Sequence, residues 1–481
     1  MATGCETYTD LGDLPLEKSE PFFLDSPDPQ SAPFEESVPD RWWTIFSDKE
    51  LDLVIDRALD ENFTLETAWH RLQTASAIAR RAQADRYPEL NGTAGIDFDD
   101  RTDGDSTTNF RIGLEASYEV DLWGRIDDAV QAQRLLAEAS EEDYRAAALS
   151  LAGDVTTVWF QLTEANAQLD LIREQIEINE TVLELLKERF AIGEITSADV
   201  LRQQQLTEAT NEQQIIVRSR QEVLKHALAV LTGQPPQTVN LAYNHASRLP
   251  EPPPLPKAGL TSQLLQRRPD VRAAIRRLES ADRELAAAVS DQYPRLDLTA
   301  SVATAAEQPE DLFREWLFSI SGQLVAPLFD AGERRAEVER ATSFRDEQIA
   351  RYGQTVLVAF REVQDAITQE QQEIQRIESL SRQLELTQQT VVQLRNQYLN
   401  GVVDYLAVLD ALTQFQQLQR DQLQAQRRRI EFRIALYRAA AGGFITSRED
   451  QKKNETNQPS QDQTDQTAIP RIMTAGEPEH G

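Results

Sequence analysis

The sequence predicts a mainly α-helical, internally duplicated chain in which long coiled-coil hairpins carry four strands patterned like those of a membrane β-barrel. Three observations lead there. The chain repeats itself about two hundred residues apart: Tyr87-Pro88 returns as Tyr293-Pro294, Leu122-Trp123 as Leu328-Phe329, and Arg189-Phe190-Ala191-Ile192-Gly193 as Gln397-Tyr398-Leu399-Asn400-Gly401. Each copy holds two segments that alternate apolar and polar residues. Each copy then runs through a proline-free stretch far longer than an ordinary globular helix. The period is too long for a solenoid, so the chain reads as two equivalent halves, and function should sit on what both halves share.

Composition narrows the choices. The chain has 481 residues, few glycines and a formal net charge of −31. Nucleic acid is excluded as a partner, because phosphates need Lys and Arg to release their counterions. No run approaches the ~20 apolar residues of a membrane-spanning helix. A bilayer, if crossed, is crossed by strands. Cys5 is the single cysteine, so no internal disulfide exists. Ala2-Thr3-Gly4-Cys5 resembles the end of a bacterial lipobox, although no basic or apolar stretch precedes it. Cys5 is therefore the candidate site of lipid attachment.

Taken in order, residues 1–40 are acidic and proline-punctuated and read as an extended arm. The first repeat, residues 41–247, opens with a helical section of short helices over about 48–86, with Leu51, Ile55, Ala58 and Leu59 on one face. A β-hairpin is expected over 89–121. There Leu90, Ala94, Ile96 and Phe98 alternate with Asn91, Thr93 and Asp97, and Phe110 through Val120 repeat the pattern. The second repeat, 257–443, carries its hairpin over 295–327, with Leu296, Leu298, Ala300, Val302, Phe318, Ile320 and Leu324 as the apolar set. Period two over ~9–11 residues suits a strand with one face to lipid and one to a lumen. A half-buried soluble sheet alternates identically. The aromatics Tyr87, Trp123, Tyr293 and Phe329 favour the membrane, because they mark the helix-side strand ends where an interfacial girdle belongs. Four strands cannot close a barrel, and open edges in hydrocarbon cost several kcal/mol per unpaired group, so membrane strands here imply pooling between copies.

The long helical hairpins are expected over 124–232 and 332–441, turning at Gly193 and Gly401. A heptad seam of Leu169, Ile172, Ile176, Asn179, Leu183, Leu186 and Phe190 is matched in register by Ile377, Leu380, Leu384, Thr387, Val391, Leu394 and Tyr398. Between the repeats, residues 248–256 form a proline-rich strap. Residues 444–481 turn to Gln, Thr, Asp, Asn and Pro and are expected to be a disordered tail.

At this point the chain resembles the TolC-like outer-membrane efflux channel family, in its lipoprotein branch serving tripartite RND-type pumps. The marks are Arg41-Trp42-Trp43 with Phe46, the run Ser117 to Arg125, Arg267-Arg268-Pro269-Asp270 and Tyr405 to Ala411. The resemblance covers about 41–443. It implies a homotrimer whose protomers each contribute four transmembrane strands to a twelve-stranded barrel and long helices to a periplasmic α-helical tunnel. It also implies an outer-membrane location in a Gram-negative bacterium, contact with outer-membrane lipid, a periplasmic adaptor (membrane fusion) protein and an inner-membrane RND-type transporter. Carried over by position, Tyr398 and Asp199 help lock the tunnel end, Leu406 forms an apolar ring and Asp410 an acidic one. Gly193 and Gly401 become adaptor-contacting turns. Two family positions depart: a gating arginine is Val403 and a second ring aspartate is Ala407, so the lock is expected to be poorer in ion pairs and more apolar.

Each of these residues also has a plain structural reading. Thr196 and Asp199 form a capping-box pattern, Tyr398 lies in a heptad core column, and the glycines suit helix ends. The leading function is a passive exit duct without cofactor, metal or catalytic residue. His70, His226, His245 and His480 are scattered with no ligand spacing, which argues against an enzyme. A type I protein-secretion duct is the alternative within the family. A soluble coiled-coil scaffold explains the heptads but not the strands.

Overall fold

The structure, a computed structural model, describes residues 41–100, 106–237, 248–252 and 267–450. A 3-10 turn at Trp42–Phe46 leads into α1 (Lys49–Glu61) and α2 (Phe63–Ala84), then β1 (Glu89–Asp100), β2 (Ser106–Val120), α3 (Arg125–Ala191) and α4 (Ser197–Leu231). The second copy follows as α5 (Pro269–Ser290), β3 (Arg295–Ala306), a 3-10 turn at Pro309–Asp311, β4 (Leu317–Val325), α6 (Glu333–Leu399) and α7 (Tyr405–Ala440). Helices α3 and α6 are each 67 residues long, roughly 100 Å at helical rise. No described helix is long and apolar enough to cross a membrane.

The equal lengths come from equal punctuation. Both long helices start after a left-handed glycine, Gly124 at φ 80° and Gly332 at φ 91°. An aspartate just before each glycine caps the helix. Asp121 accepts from the Ile126 and Asp127 amides at 3.2 and 2.8 Å, and Asp330 from Gly332 and Arg334 at 3.0 and 3.4 Å. A carboxylate there satisfies free amides and favours the positive helix end.

The short helices expected over about 48–86 are α1 and α2, which meet at Asn62. Asn62 separates them, because its backbone is extended while its side chain accepts from the Leu65 amide at 3.0 Å and donates to the Leu231 carbonyl at 3.0 Å. Asp48 caps α1 and also accepts from the Trp159 indole at 2.9 Å. This fixes the N-terminal turn onto α3, where Trp42, Trp43, Phe46, Leu51 and Ile55 bury against Tyr144, Trp159, Phe160 and Tyr437.

Within the second copy, α6 and α7 are held by a fully buried pair, Arg433 donating to both Glu370 oxygens at 2.6 and 2.8 Å. Such a pair fixes register more than it stabilises. Helix α5 lies along α3 through four ion pairs: Arg272–Glu142 at 2.6 Å, Arg276–Glu138 at 3.2 Å, Arg277–Asp143, and Arg283–Asp128 at 2.9 Å. Arg268 of the Arg-Arg-Pro-Asp run is buried and joins Asp270 at 2.7 Å to Glu362 at 2.8 Å.

The chain divides into two compact units, Met1–Phe444 and Ile445–Gly481. The expected start of a structureless tail at 444 is corrected. Phe444 packs edge-on to Trp43, ring centroids 5.1 Å apart, because the Trp-Trp pair leaves an apolar wall that an aromatic can fill. In the second unit, residues 447–450 make a helical turn. It is capped by Thr446, whose amide donates to Glu449 at 2.9 Å. The acidic arm 1–40, with Cys5, and residues 253–256 of the strap lie outside the described residues.

Candidate functional site

The four strands form one antiparallel sheet in the order β1-β2-β3-β4. Its register keeps two chemistries apart. One rung places Asn91, Glu115, Ser301 and Ser319 side by side, and the next polar rung Glu89, Ser117, Thr299 and Ser321. Between them lies an apolar rung of Leu90, Ala116, Ala300 and Ile320. The pleat puts alternate rungs on opposite faces. Leu90, Ile96, Phe98, Phe318, Ile320 and Leu324 are therefore exposed on one face, the reverse of a soluble sheet, which covers its apolar side. Both outer edges, on β1 and β4, lack a strand partner among the described residues.

The four aromatics singled out in the sequence sit at the helix-side ends of the strands. Trp123 stacks on Tyr293 across the repeats at 5.0 Å, and its indole donates to the Pro294 carbonyl at 2.8 Å. Tyr87 and Phe329 are exposed, Phe329 by 91%. Sequence reading missed a second aromatic pair. Phe313 and Trp316, centroids 6.3 Å apart, occupy the β3–β4 connection at the opposite end. Their signal was available, since two exposed aromatics in a polar loop suit the other membrane interface.

At the far ends of the helices, both glycines take positive φ, Gly193 at 80° and Gly401 at 72°. The turns are the same Schellman closure twice. Gly193 and Glu194 amides donate to Phe190 and Arg189 carbonyls at 2.9 Å, and Gly401 and Val402 amides to Tyr398 and Gln397 carbonyls at 2.9 Å. Ile192, Leu399 and Val402 remain exposed there.

Just above the turns, Leu186, Tyr405, Val408 and Leu409 form a small core against which Tyr398 and Leu394 pack. Tyr398 meets Tyr405 edge-on at 5.4 Å. The Tyr405 hydroxyl donates to Gln203 at 2.6 Å, and Gln203 donates to the Asn179 carbonyl at 2.8 Å. Burial holds the Tyr405 phenol well above its ordinary pKa, with Tyr398 and Asp199 adding to the shift. The Tyr398 phenol is also raised by burial, and the Arg189 charge works against that shift. Asp199 does not bond Tyr398. It closes a capping box with Thr196, accepting from its amide at 3.3 Å and its hydroxyl at 2.8 Å, and pairs with Arg202 at 3.6 Å. Leu406 and Asp410, one turn apart on α7, are both exposed, while their neighbours Tyr405, Val408 and Leu409 are buried.

The heptad seam departs from its expected membership. Gln175 is buried where Ile176 was expected, and Phe190 is exposed. The reason is the partner helix. Gln175 donates to the Gln416 carbonyl at 3.2 Å and accepts from Arg420 at 2.6 Å, and Asn179 exchanges bonds with Gln416 at 2.9 and 3.4 Å. A polar seam therefore joins the first hairpin to α7.

Two segments, residues 54–234 and 260–442, match the model of a family described as outer membrane efflux protein, one segment in each repeat. The chain belongs to the outer membrane efflux protein family. It is similar to the pyoverdine export outer membrane protein OpmQ of Pseudomonas aeruginosa, 30% identical over 85% of this chain and 88% of the relative. The cation efflux system protein CusC of Escherichia coli O157:H7 is 30% identical over 84% and 88%. The probable outer membrane lipoprotein SilC of Salmonella typhimurium is 28% identical over 84% and 88%. A crystal structure of CusC superposes with a TM-score of 0.80 at 28% identity, covering 89% of this chain and 98% of that one. The mainly helical, duplicated architecture is thus that of outer membrane efflux channels of Gram-negative bacteria. CusC is named for cation efflux and OpmQ for pyoverdine export.

Proposed function

We propose that three copies of this chain pool their sheets into one twelve-stranded barrel and their helical hairpins into one tunnel, a passive exit duct across the outer membrane. The single observation that carries this is the open sheet: its large exposed apolar side chains gather mainly on one face, and neither edge has a strand partner among the described residues. Edges of this kind in hydrocarbon are tolerable only when closed by other strands. Solutes reach the duct from an inner-membrane RND-type transporter through a periplasmic adaptor. The exposed apolar side chains around Gly193 and Gly401 suit adaptor docking. Tyr398, Leu406, Asp410 and Asp199 form the aperture, with Leu406 and Asp410 facing the duct from α7 and Tyr398 packing behind them. Cys5 carries an acyl anchor, a reading supported by the likeness to SilC. The duct performs no chemistry, and its cargo is set by the pump it serves.

The test is fractionation followed by reconstitution. The native protein is expected in outer membranes, to migrate as a trimer in mild detergent and to conduct ions in planar lipid bilayers. A water-soluble monomer recovered from intact cells rejects the duct.

A further inference from the structure

The two helix tips share one backbone turn but differ in the side chains that flank it. In this closure the residue three from the helix end usually makes an apolar contact with the residue after the glycine. The second tip has Gln397 and Val402 at these places, and Val402 is exposed. The first tip has an ion pair instead, Arg189 Nε donating to Glu194 at 2.8 Å. That bond sets the bearing of the guanidinium, which points at the second hairpin. Arg189 Cζ lies 5.3 Å from the centroid of the Tyr398 ring. The guanidinium thus faces the ring, and its charge also favours the ionised form of the Tyr398 phenol, so cation and tyrosine are coupled across the two hairpins. Behind Tyr398 stands Tyr405, anchored through Gln203 to α3.

We propose that Arg189, held on its bearing by Glu194, is a positioning residue that keeps the aperture closed by clamping the Tyr398 ring of the second hairpin against the first. The inference rests on the aperture reading of Tyr398, Leu406 and Asp410. A guanidinium suits the task because it is planar, permanently charged and weakly hydrated, so it can bond Glu194 and face a ring at the same time. Opening the tips must break this contact before α6 can move from α3. The lock is asymmetric between the repeats, since only the first tip carries the cation and only the second the tyrosine.

The test is made on the full-length trimer in planar lipid bilayers with no adaptor present, so docking cannot contribute. Arg189→Gln is expected to raise mean conductance about threefold, the scale of a partly exposed cation–π contact. Glu194→Gln, which leaves Arg189 in place but unpinned, is expected to act in the same direction, and Arg189→Lys to fall between wild type and Arg189→Gln. Tyr398→Leu should match Arg189→Gln, and the double variant should exceed neither, a non-additivity that general loosening of the tip does not produce. Wild-type conductance in assembled Arg189→Gln trimers, with altered conductance in Asp410→Ala, overturns the role of Arg189 and leaves the aperture standing. Additive effects in the double variant also overturn it. Wild-type conductance in Leu406→Ala and Asp410→Ala as well removes the aperture reading and the clamp with it.

Discussion

The glycines at the tips and at the end of α4 separate two reasons for glycine at a single position. Gly193 has φ 80° with nothing near an added Cβ, so Gly193→Ala meets only left-handed strain, about 1–2 kcal/mol. Gly233 has φ 71° and a Cβ there would lie 2.3 Å from the Glu61 carbonyl oxygen. Gly233→Ala is therefore expected to cost clearly more, measured as the larger fall in thermal midpoint of the detergent-solubilised protein. Equal falls would show that the α1–α4 contact is not tight. Tyr405 gives a pH dependence. Its phenol is raised above the unfolded value of about 10, so the folded state retains a proton that the unfolded state loses. The stability it contributes is complete below pH ~10 and is lost as pH rises beyond it. Wild type should lose stability between pH 9 and 11 more steeply than Tyr405→Phe; parallel curves reject the assignment. Much of this site was legible in the sequence and part was not. Tyr398, Leu406 and Asp410 were named from the family resemblance and the two glycines as helix turns, and the structure places the glycines at positive φ in both turns. Arg189 and Tyr405 were not so named, because an arginine in a helix tip is ordinary until its partner on a distant helix is known. Asp199 shows the converse: its capping-box pattern was visible, and that is the bond it makes.

Elements were easiest to read where one face meets a uniform neighbour. The strands alternate because successive side chains take opposite faces of the sheet, and a register slip of one residue would exchange the two sets. The polar seam was harder. Gln168, Gln175 and Asn179 lie at helical spacing on α3, but burying them requires acceptors on α7 that lie more than two hundred residues away. Only the fold supplies those partners. That the break falls at Asn62 was hidden for a similar reason, since the carbonyl that satisfies its amide belongs to α4. The sheet allows a direct test of face assignment. Ile320 is 88% exposed on the apolar face, and Ser321 beside it lies on the polar face. In lipid vesicles Ile320→Arg is expected to destabilise by about 2–4 kcal/mol if near mid-bilayer, and Ser321→Arg by much less. Refolding titrations in which the two variants behave alike would show that the apolar face does not meet lipid.

At the scale of the whole molecule, the question is what completes an incomplete sheet. Strands β1 and β4 are separated by two others, and at ~4.8 Å per strand spacing their backbones stand roughly 14 Å apart. A disulfide requires Cα atoms within about 7 Å. A cysteine on β1 therefore cannot reach one on β4 of the same protomer, and any bond between them must join two copies. Asn91 lies on the polar face of β1, and Ser319, Ser321 and Gln323 are successive same-face positions on β4, so scanning the three allows for an unknown register between protomers. With Cys5→Ser as background, Asn91→Cys combined with one of Ser319→Cys, Ser321→Cys or Gln323→Cys is expected to give oxidant-dependent ladders that end at three linked chains. Single-cysteine controls should stop at two. Closure by pooling requires the ladder to end at three, because a cyclic head-to-tail contact repeats the same β4–β1 bond at every interface. A ladder running beyond three would mean an open assembly, and monomers at all three positions would mean that something other than a second copy covers these edges.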